Sequence, residues 1–205
     1  MKEKLLETAL SLFRENGYQK VSIQKICEAC QVTKGCFYHY YHSKEDLLLD
    51  YYELIPQENL VQILSEMMGI ASPLKRLWMY FGFYIEHSTQ LGPDLLKELM
   101  KIDMDRGGVL FTPYYNTQQG AVPGFLKVVE TLTREGQAEG NILSNASWEK
   151  LLWIYTASFT GALMYWSSSG GAFDVKEELH CSFLHIYQGV EANSDSCKFI
   201  PAQNS

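Results

Sequence analysis

The chain has 205 residues, 46% of them hydrophobic and 20% charged, enough to bury a substantial core as one large or two small domains. Its net charge of −7 would oppose a nucleic-acid partner if it were spread evenly. It is not: residues 1–44 hold seven Lys/Arg against four Asp/Glu, and residues 45–205 hold ten against twenty, so a basic N-terminal part precedes an acidic body.

In chain order, the first predicted helix runs from Lys2 to Asn16, with Leu6, Ala9, Leu10 and Phe13 on one stripe and Gly17 placed to end it. Glu3, Lys4 and Glu7 fall where a secretory signal needs an apolar run, which excludes that reading. Three helix starts follow in a short span. Val21-Ser22 precedes Ile26, Val32-Thr33 precedes Phe37, and Ser43 precedes Asp46 and Leu47, so each start has a hydroxyl to cap free backbone N–H groups. The first two add the apolar pair of a hydrophobic staple, and Ser43-Lys44-Glu45-Asp46 reads as a capping box with Asp in place of Glu. The middle helix is about two turns long, the layout of a helix-turn-helix, and helices that short persist only when packed together.

The second helix of such a motif lies in the major groove, and here it spans Thr33 to about Tyr41. Phe37 and Tyr41 share a face and point into the core, which sends Gly35, Cys36 and His39 outward with Lys34, Tyr38 and Tyr40 on the flanks. Lys34 can donate to guanine, His39 can donate or accept, and Cys36 offers a soft surface to a thymine methyl, while Gly35 lets the backbone approach the groove floor. Tyr38, Tyr40, Lys44, Ser22 and Gln24 have the hydroxyls, amide and charge that hold phosphates without reading sequence.

These residues also carry a likeness. Asn16-Gly17-Tyr18, Ser22 to Cys30, Val32 to Tyr41 and Ser43 to Leu48 together resemble the N-terminal domain of TetR-type (TetR/AcrR) bacterial transcriptional regulators. Glu135 to Ile142 and the two helices after it resemble, more weakly, the family's dimerisation region, and residues 56–130 hold no family motif. The resemblance implies an all-α fold: an N-terminal three-helix DNA-binding head with a helix-turn-helix over residues 1–47, a larger helical effector-binding and dimerisation domain over 48–191, and a flexible tail over 192–205. It places DNA contacts on Ser22, Gln24, Lys34, Gly35, Cys36, Tyr38, His39, Tyr40 and Lys44, with Thr33 opening the same helix. Cys36 departs from the Thr, Ser or Ala more usual there. The implied function is a sequence-specific transcriptional regulator, a repressor released from a palindromic double-stranded operator by a small-molecule effector, acting as a cytoplasmic homodimer without cofactor or metal.

Past Ser43 the helical pattern reaches about Leu54, Pro56 kinks or interrupts it, and it resumes from Gln57 to Met68. Ser72-Pro73 opens a helix to about Gln90 that turns Leu77, Tyr80, Phe81 and Tyr84 inward, and Pro93 opens another to about Met104. Residues 105–122 read as a long loop. Pro123 opens a helix to about Glu139, closed by Gly140, and helices from Trp148 to about Ser167 and Val175 to about Val190 form a hairpin through Gly170-Gly171. No strand pattern competes. Leu151 to Trp166, the most apolar stretch, is shorter than the roughly 20 residues that cross a bilayer and reads as a buried helix, so no membrane partner is expected.

A palindromic operator requires two heads one DNA turn apart, so dimerisation is part of the expected mechanism. Leu152, Tyr155, Phe159, Leu163 and Trp166 on one helix, and Leu179, Phe183, Ile186 and Tyr187 on the next, are the expected intersubunit face. A ligand cavity is expected among Trp78, Tyr80, Phe81, Tyr84 and His87, then Met100, Met104 and Phe111, then Tyr114, Tyr115, Phe125 and Phe159. With Glu98, Asp103 and Asp105 nearby, the effector would be apolar or a cationic aromatic.

Three competing readings follow from the residues. Cys27-Glu28-Ala29-Cys30, with Cys36 near, has the spacing of a thiol switch, although an odd total of five cysteines without a regular framework fits reduced thiols. Cys181 and His185, with His180 adjacent, have the spacing of a metal pair, outweighed by ordinary packing. An enzyme would need a motif such as a Walker loop, a nucleophile elbow or H-E-x-x-H; none occurs, and the chain is read as a non-enzyme.

Overall fold

The computed structural model describes residues 1–108, 110–111 and 123–189. The expected loop over 105–122 is therefore described only at its start, and Tyr114, Tyr115 and the tail from 192 lie outside the described residues. Among the described residues the fold is all helical, as the capping pattern predicts.

Helix α1 (Lys2–Asn16) buries Leu5, Ala9, Leu10 and Phe13. Leu6, expected on this stripe, is half-buried, because Leu5 stands four residues before Ala9 and eight before Phe13 and takes the inner position. Gly17 ends the helix at φ +82°, and a short 3-10 turn over Tyr18–Lys20 sets the Tyr18 ring edge-on against Phe13 at 4.9 Å. The three hydroxyl caps act as the sequence predicts. The Lys25 N–H donates to Ser22 at the start of α2 (Ile23–Cys30), and the Cys36 N–H donates to Thr33 at the start of α3 (Lys34–Tyr40). Ser43 and Asp46 close a complete capping box on α4 (Lys44–Met67).

Helix α4 runs on through Pro56 rather than ending near Leu54. The proline lacks the N–H that would bond the Tyr52 carbonyl, but one lost bond is a small part of a 24-residue helix whose far end is held by buried Ile63 and Met67. The body continues with α5 (Pro73–Gln90), α6 (Pro93–Asp105), α7 (Pro123–Ala138), α8 (Trp148–Ser168) and α9 (Val175–Gln188), with proline in the first turn of α5 and α6 as expected. Helix α8 packs on α9, α5 on α7, and α6 on α8.

Two apolar clusters hold these helices. One joins Leu5, Phe13, Ile26 and Phe37 through Leu47, Leu48 and Tyr52 to Leu96, Leu99, Leu163 and Leu179, so α4 carries the core of the N-terminal helices into the body. The other centres on Leu77, Tyr80, Phe81, Leu152, Tyr155, Phe183 and Tyr187.

This packing corrects the expected intersubunit face at six of its nine residues. Leu152, Tyr155, Leu163, Leu179, Phe183 and Tyr187 are buried within the single chain, and Phe159, Trp166 and Ile186 are half-buried against the same clusters. Helix α8 is apolar on more than one side, and its own α5, α6 and α9 claim the side that periodicity alone had offered to a second subunit. Its exposed apolar residues are instead Trp153, Met164 and Tyr165.

One glycine is dictated by close approach. A Cβ on Gly136 in α7 would lie 2.6 Å from Cδ1 and 2.8 Å from Cγ1 of Ile142, a buried, β-branched neighbour with little room to retreat. Gly136→Ala is therefore expected to destabilise the protein by about 1–3 kcal/mol in urea unfolding. At an exposed helix position the same change would instead stabilise by up to about 1 kcal/mol, so a gain would refute the contact.

Candidate nucleic-acid interface

Helix α3 is fixed from behind and bare in front. Phe37 is fully buried, with its ring 5.6 Å from Tyr38 and 5.9 Å from Tyr41. The buried Tyr41 hydroxyl donates to Asp50 Oδ2 at 2.7 Å, and Lys2 Nζ donates to Asp50 Oδ1 at 2.7 Å, so one carboxylate of α4 ties the end of α3 to the start of α1. On the opposite face Thr33, Lys34, Gly35, Tyr38, His39 and Tyr40 are exposed and Cys36 is half-buried. The His39 and Tyr40 rings meet edge to face at 4.8 Å, which stiffens two exposed, polar-tipped side chains.

The expected phosphate contacts divide. Ser22 is exposed and keeps its own O–H free to donate while its oxygen caps α2. Gln24 is exposed, but its amide donates to Glu28 at 2.6 Å. Lys44 is more committed: its ammonium donates to the carbonyls of Tyr18 at 3.0 Å and Val21 at 3.3 Å and lies 4.2 Å from the Tyr18 ring centroid. It brackets the 3-10 turn to the start of α4. Neither that bracket nor the Lys2–Asp50–Tyr41 tie was legible in the sequence, because the partners stand 9 to 48 residues apart with no periodicity linking them.

The cysteines answer the thiol reading. Cys27 and Cys30 are buried free thiols and Cys36 is a half-buried one. Burial pushes the Cys27 thiol up, away from the reactive thiolate. Cys181 is disulfide-bonded, which departs from the expectation of wholly reduced thiols. His185 Nδ1 meets the Cys181 carbonyl oxygen at 2.7 Å, and among the described residues no group of three or more His, Cys, Asp or Glu is placed to hold a metal ion.

The expected ligand residues do not form one wall. Phe81 stacks on Tyr155 at 4.1 Å, Trp78 faces His180 at 4.5 Å and Phe183 at 5.3 Å, and Phe159 lies 6.4 Å from Tyr155. Tyr80 and Tyr84 pack on Phe125 at 5.5 and 5.2 Å. A third group sets His87 4.6 Å from Tyr51 and 5.2 Å from Tyr52, with Phe111 5.0 Å from Tyr52. Met100 is buried in the core, whereas Met104, on the outer face of α6, is 76% exposed and is not a pocket residue.

Of the three acids, Glu98 accepts from Gln19 at 3.1 Å, Asp103 accepts from the Leu110 N–H at 2.9 Å, and Asp105 is exposed at the end of α6. Inside the body both His87 ring nitrogens and the Tyr155, Tyr187 and Thr133 hydroxyls are buried without a hydrogen-bond partner. A cleft of about 250 Å³ does open between α4, α5 and α7, lined by Leu64, Met67, Met68, Val128, Leu132 and their neighbours. None of the expected residues lines it, and its cations are already paired, Arg76 with Glu135 at 3.6 Å and Lys127 with Glu130 at 3.3 Å.

A short, capped helix with a buried back and an exposed polar front, third in a three-helix head and second in its helix-turn-helix, is the reading element of a DNA-binding regulator. Residues 5–51 match the family described as bacterial regulatory proteins, tetR family. The HTH-type transcriptional regulator YuxN of Bacillus subtilis is 32% identical over 119 residues, 55% of this chain and 38% of that protein. The chain thus spans well under two thirds of that relative's length. The HTH-type transcriptional repressor DhaR of Mycobacterium sp. is 28% identical over 171 residues, 80% of this chain and 81% of that protein. In fold, the chain is similar to the Thermus thermophilus repressor FadR, solved in complex with lauroyl-CoA, with a TM-score of 0.67 and 19% identity over 100% of both chains. Residues 5–51 are thus an N-terminal DNA-binding domain of the tetR type, and the findings together support a tetR-family transcriptional regulator.

Proposed function

We propose that this regulator is a repressor that works as a homodimer in the cytoplasm, laying α3 of each subunit in successive major grooves of a palindromic operator and leaving when a small apolar effector binds in the body. The observation that carries this is the bare front of α3. Lys34, Gly35, Cys36 and His39 face base edges, Thr33 opens the helix, and Ser22, Tyr38 and Tyr40 hold phosphates, with Gln24 and Lys44 contributing what their internal bonds leave free. The head comprises residues 1–47, and the effector and dimer functions fall to 48–191.

Trp153 and Met164, which share one face of α8, and Tyr165 on the adjoining face are the exposed large apolar residues that a second subunit would cover. The effector would enter among the aromatic groups of the body, where His87, Tyr155 and Tyr187 have polar atoms without partners. The acyl-CoA found with FadR belongs to that protein, and a likeness of 19% identity gives the fold alone. Relatives of this chain are transcriptional regulators, and no enzymatic role is proposed.

Selection from a random DNA pool followed by binding titrations tests the reading. A dimer that neutralises about eight phosphates loses log affinity against log salt with a slope of roughly −7. Lys34→Ala is expected to cost about 1–3 kcal/mol of binding to the selected site and to relax the preference at one base position. A flat salt response, or no selected sequence, would remove the proposal.

A further inference from the structure

We infer that Arg106, in the body, is a positioning residue for DNA recognition that acts on α3 through the carboxylate of Asp46. The inference rests on the reading of α3 as the element that meets bases.

Asp46 faces two ways. Its Oδ2 accepts from the His42 N–H at 2.8 Å and the Ser43 N–H at 3.0 Å, closing the turn between α3 and α4, and its Oδ1 accepts from Arg106 Nη2 at 2.9 Å. The same guanidinium reaches Glu45 Oε2 at 3.5 Å. A carboxylate is planar, so a donor that fixes one oxygen also fixes where the other points. Loss of Arg106 therefore leaves Oδ2 freer to swing away from two N–H groups that begin one residue past Tyr41, the C-cap of α3.

Arg106 is itself held by the body. Its N–H donates to the carbonyls of Ile102 and Asp103 at 3.1 Å each, and the Gly108 N–H donates to the Asp103 carbonyl at 2.7 Å, which closes the end of α6. A little further on, Thr160 of α8 donates to the Phe111 carbonyl at 2.9 Å, and Phe111 packs on Tyr52. The position of α6 against α8 thus reaches the α3–α4 turn through this guanidinium, alongside the apolar packing of α6 on α4. Among the described residues, Gln19 to Glu98 at 3.1 Å and Arg14 to the Gln90 carbonyl at 3.3 Å also cross from the N-terminal helices, but both start from α1 or the turn after it and do not reach the α3–α4 turn.

Magnitude decides what kind of contact this is. The side chains of Arg106 and Glu45 are nearly half exposed and that of Asp46 about one fifth, so the set is worth no more than a few-fold in any equilibrium it biases. That is too little to hold the fold together and enough to tune the pitch of a two-turn helix, and a movement of α6 can undo it.

The test uses full-length dimer and two DNA probes, a fragment enriched by the wild type from a random pool and an unselected fragment of equal length. R106A and R106Q are expected to lose roughly two- to fivefold in affinity for the enriched fragment. Affinity for the unselected one should stay unchanged, and hydrogen exchange should be faster at the His42 and Ser43 amides. Combining R106A with D46N should add nothing beyond the larger single loss. Equal loss on both probes would make Arg106 a mere surface charge and overturn the inference, as would additive losses or unchanged exchange at those two amides. If the wild type enriches no sequence, the DNA-reading proposal falls and takes this inference with it. If the wild type discriminates and R106A does so equally well, the inference alone fails.

Discussion

Phe37→Ala will destabilise the protein by about 3–5 kcal/mol, the cost of emptying a fully buried aromatic site. The effect will exceed that of any single change on the exposed face of α3. Seven residues of helix cannot persist without tertiary support, and Phe37 is the side chain that α3 commits wholly to the core. Its loss should therefore abolish binding to a selected DNA site as well as lower the urea midpoint. Tyr38→Ala is the control. That residue is 50% exposed, so its removal should shift stability by no more than about 0.5 kcal/mol while still weakening DNA binding. Equal destabilisation by the two substitutions would mean that α3 is not oriented as described.

Acidification will remove a second large contribution, from His87. The ring is 2% exposed and wedged beside Tyr51 and Tyr52, and burial lowers its pKa from 6.5 to about 4. The unfolded chain takes up the imidazole proton near pH 6.5 and the folded protein resists it until near 4. The unfolded state therefore binds more protons across that window, and stability falls as pH is lowered through it. The stabilising share is fully present above pH 6.5 and amounts to roughly 3 kcal/mol lost by pH 4. His87→Leu cannot titrate, and it removes two ring nitrogens that have no hydrogen-bond partner. The gap between variant and wild type in urea unfolding should widen in the variant's favour from pH 7 to pH 4. Parallel pH profiles would show that His87 is already paired or hydrated.

Burial also raises the Tyr155 and Tyr187 hydroxyls well above the ordinary tyrosine range, so both stay neutral donors at any physiological pH. Asp46 goes the other way. Burial works to raise its carboxyl, but the hydrogen bonds it accepts from Arg106, His42 and Ser43 outweigh that and hold it below the usual carboxylate range.

The outward face of α3 was legible in the sequence because it is built from short-range chemistry. Lys34, Gly35, Cys36 and His39 were placed outward by counting from Phe37 within one two-turn helix, and they are exposed or half-buried. How the aromatic residues of the body pack was not. Residues chosen for being aromatic fell into three separate ring groups, and Met104 went to solvent, because which side of α6 faces in depends on α4 and α8 rather than on the residues of α6 themselves.

The same division runs through the whole chain. Amino-acid order alone determined that the protein is helical, where α2 to α4 begin, and that Ser22, Thr33 and Ser43 cap helices. Each of those outcomes is settled by a hydroxyl and an N–H three residues apart, or by the φ a glycine or proline allows. Only the tertiary structure decided that α4 continues past Pro56, that the inner side of α8 belongs to its own chain, and that Lys44, Asp50 and Asp46 serve as ties between distant segments. A helix that is apolar on more than one side, or a charge whose partner stands 60 residues away, has no local preference to express until packing brings its neighbours within reach.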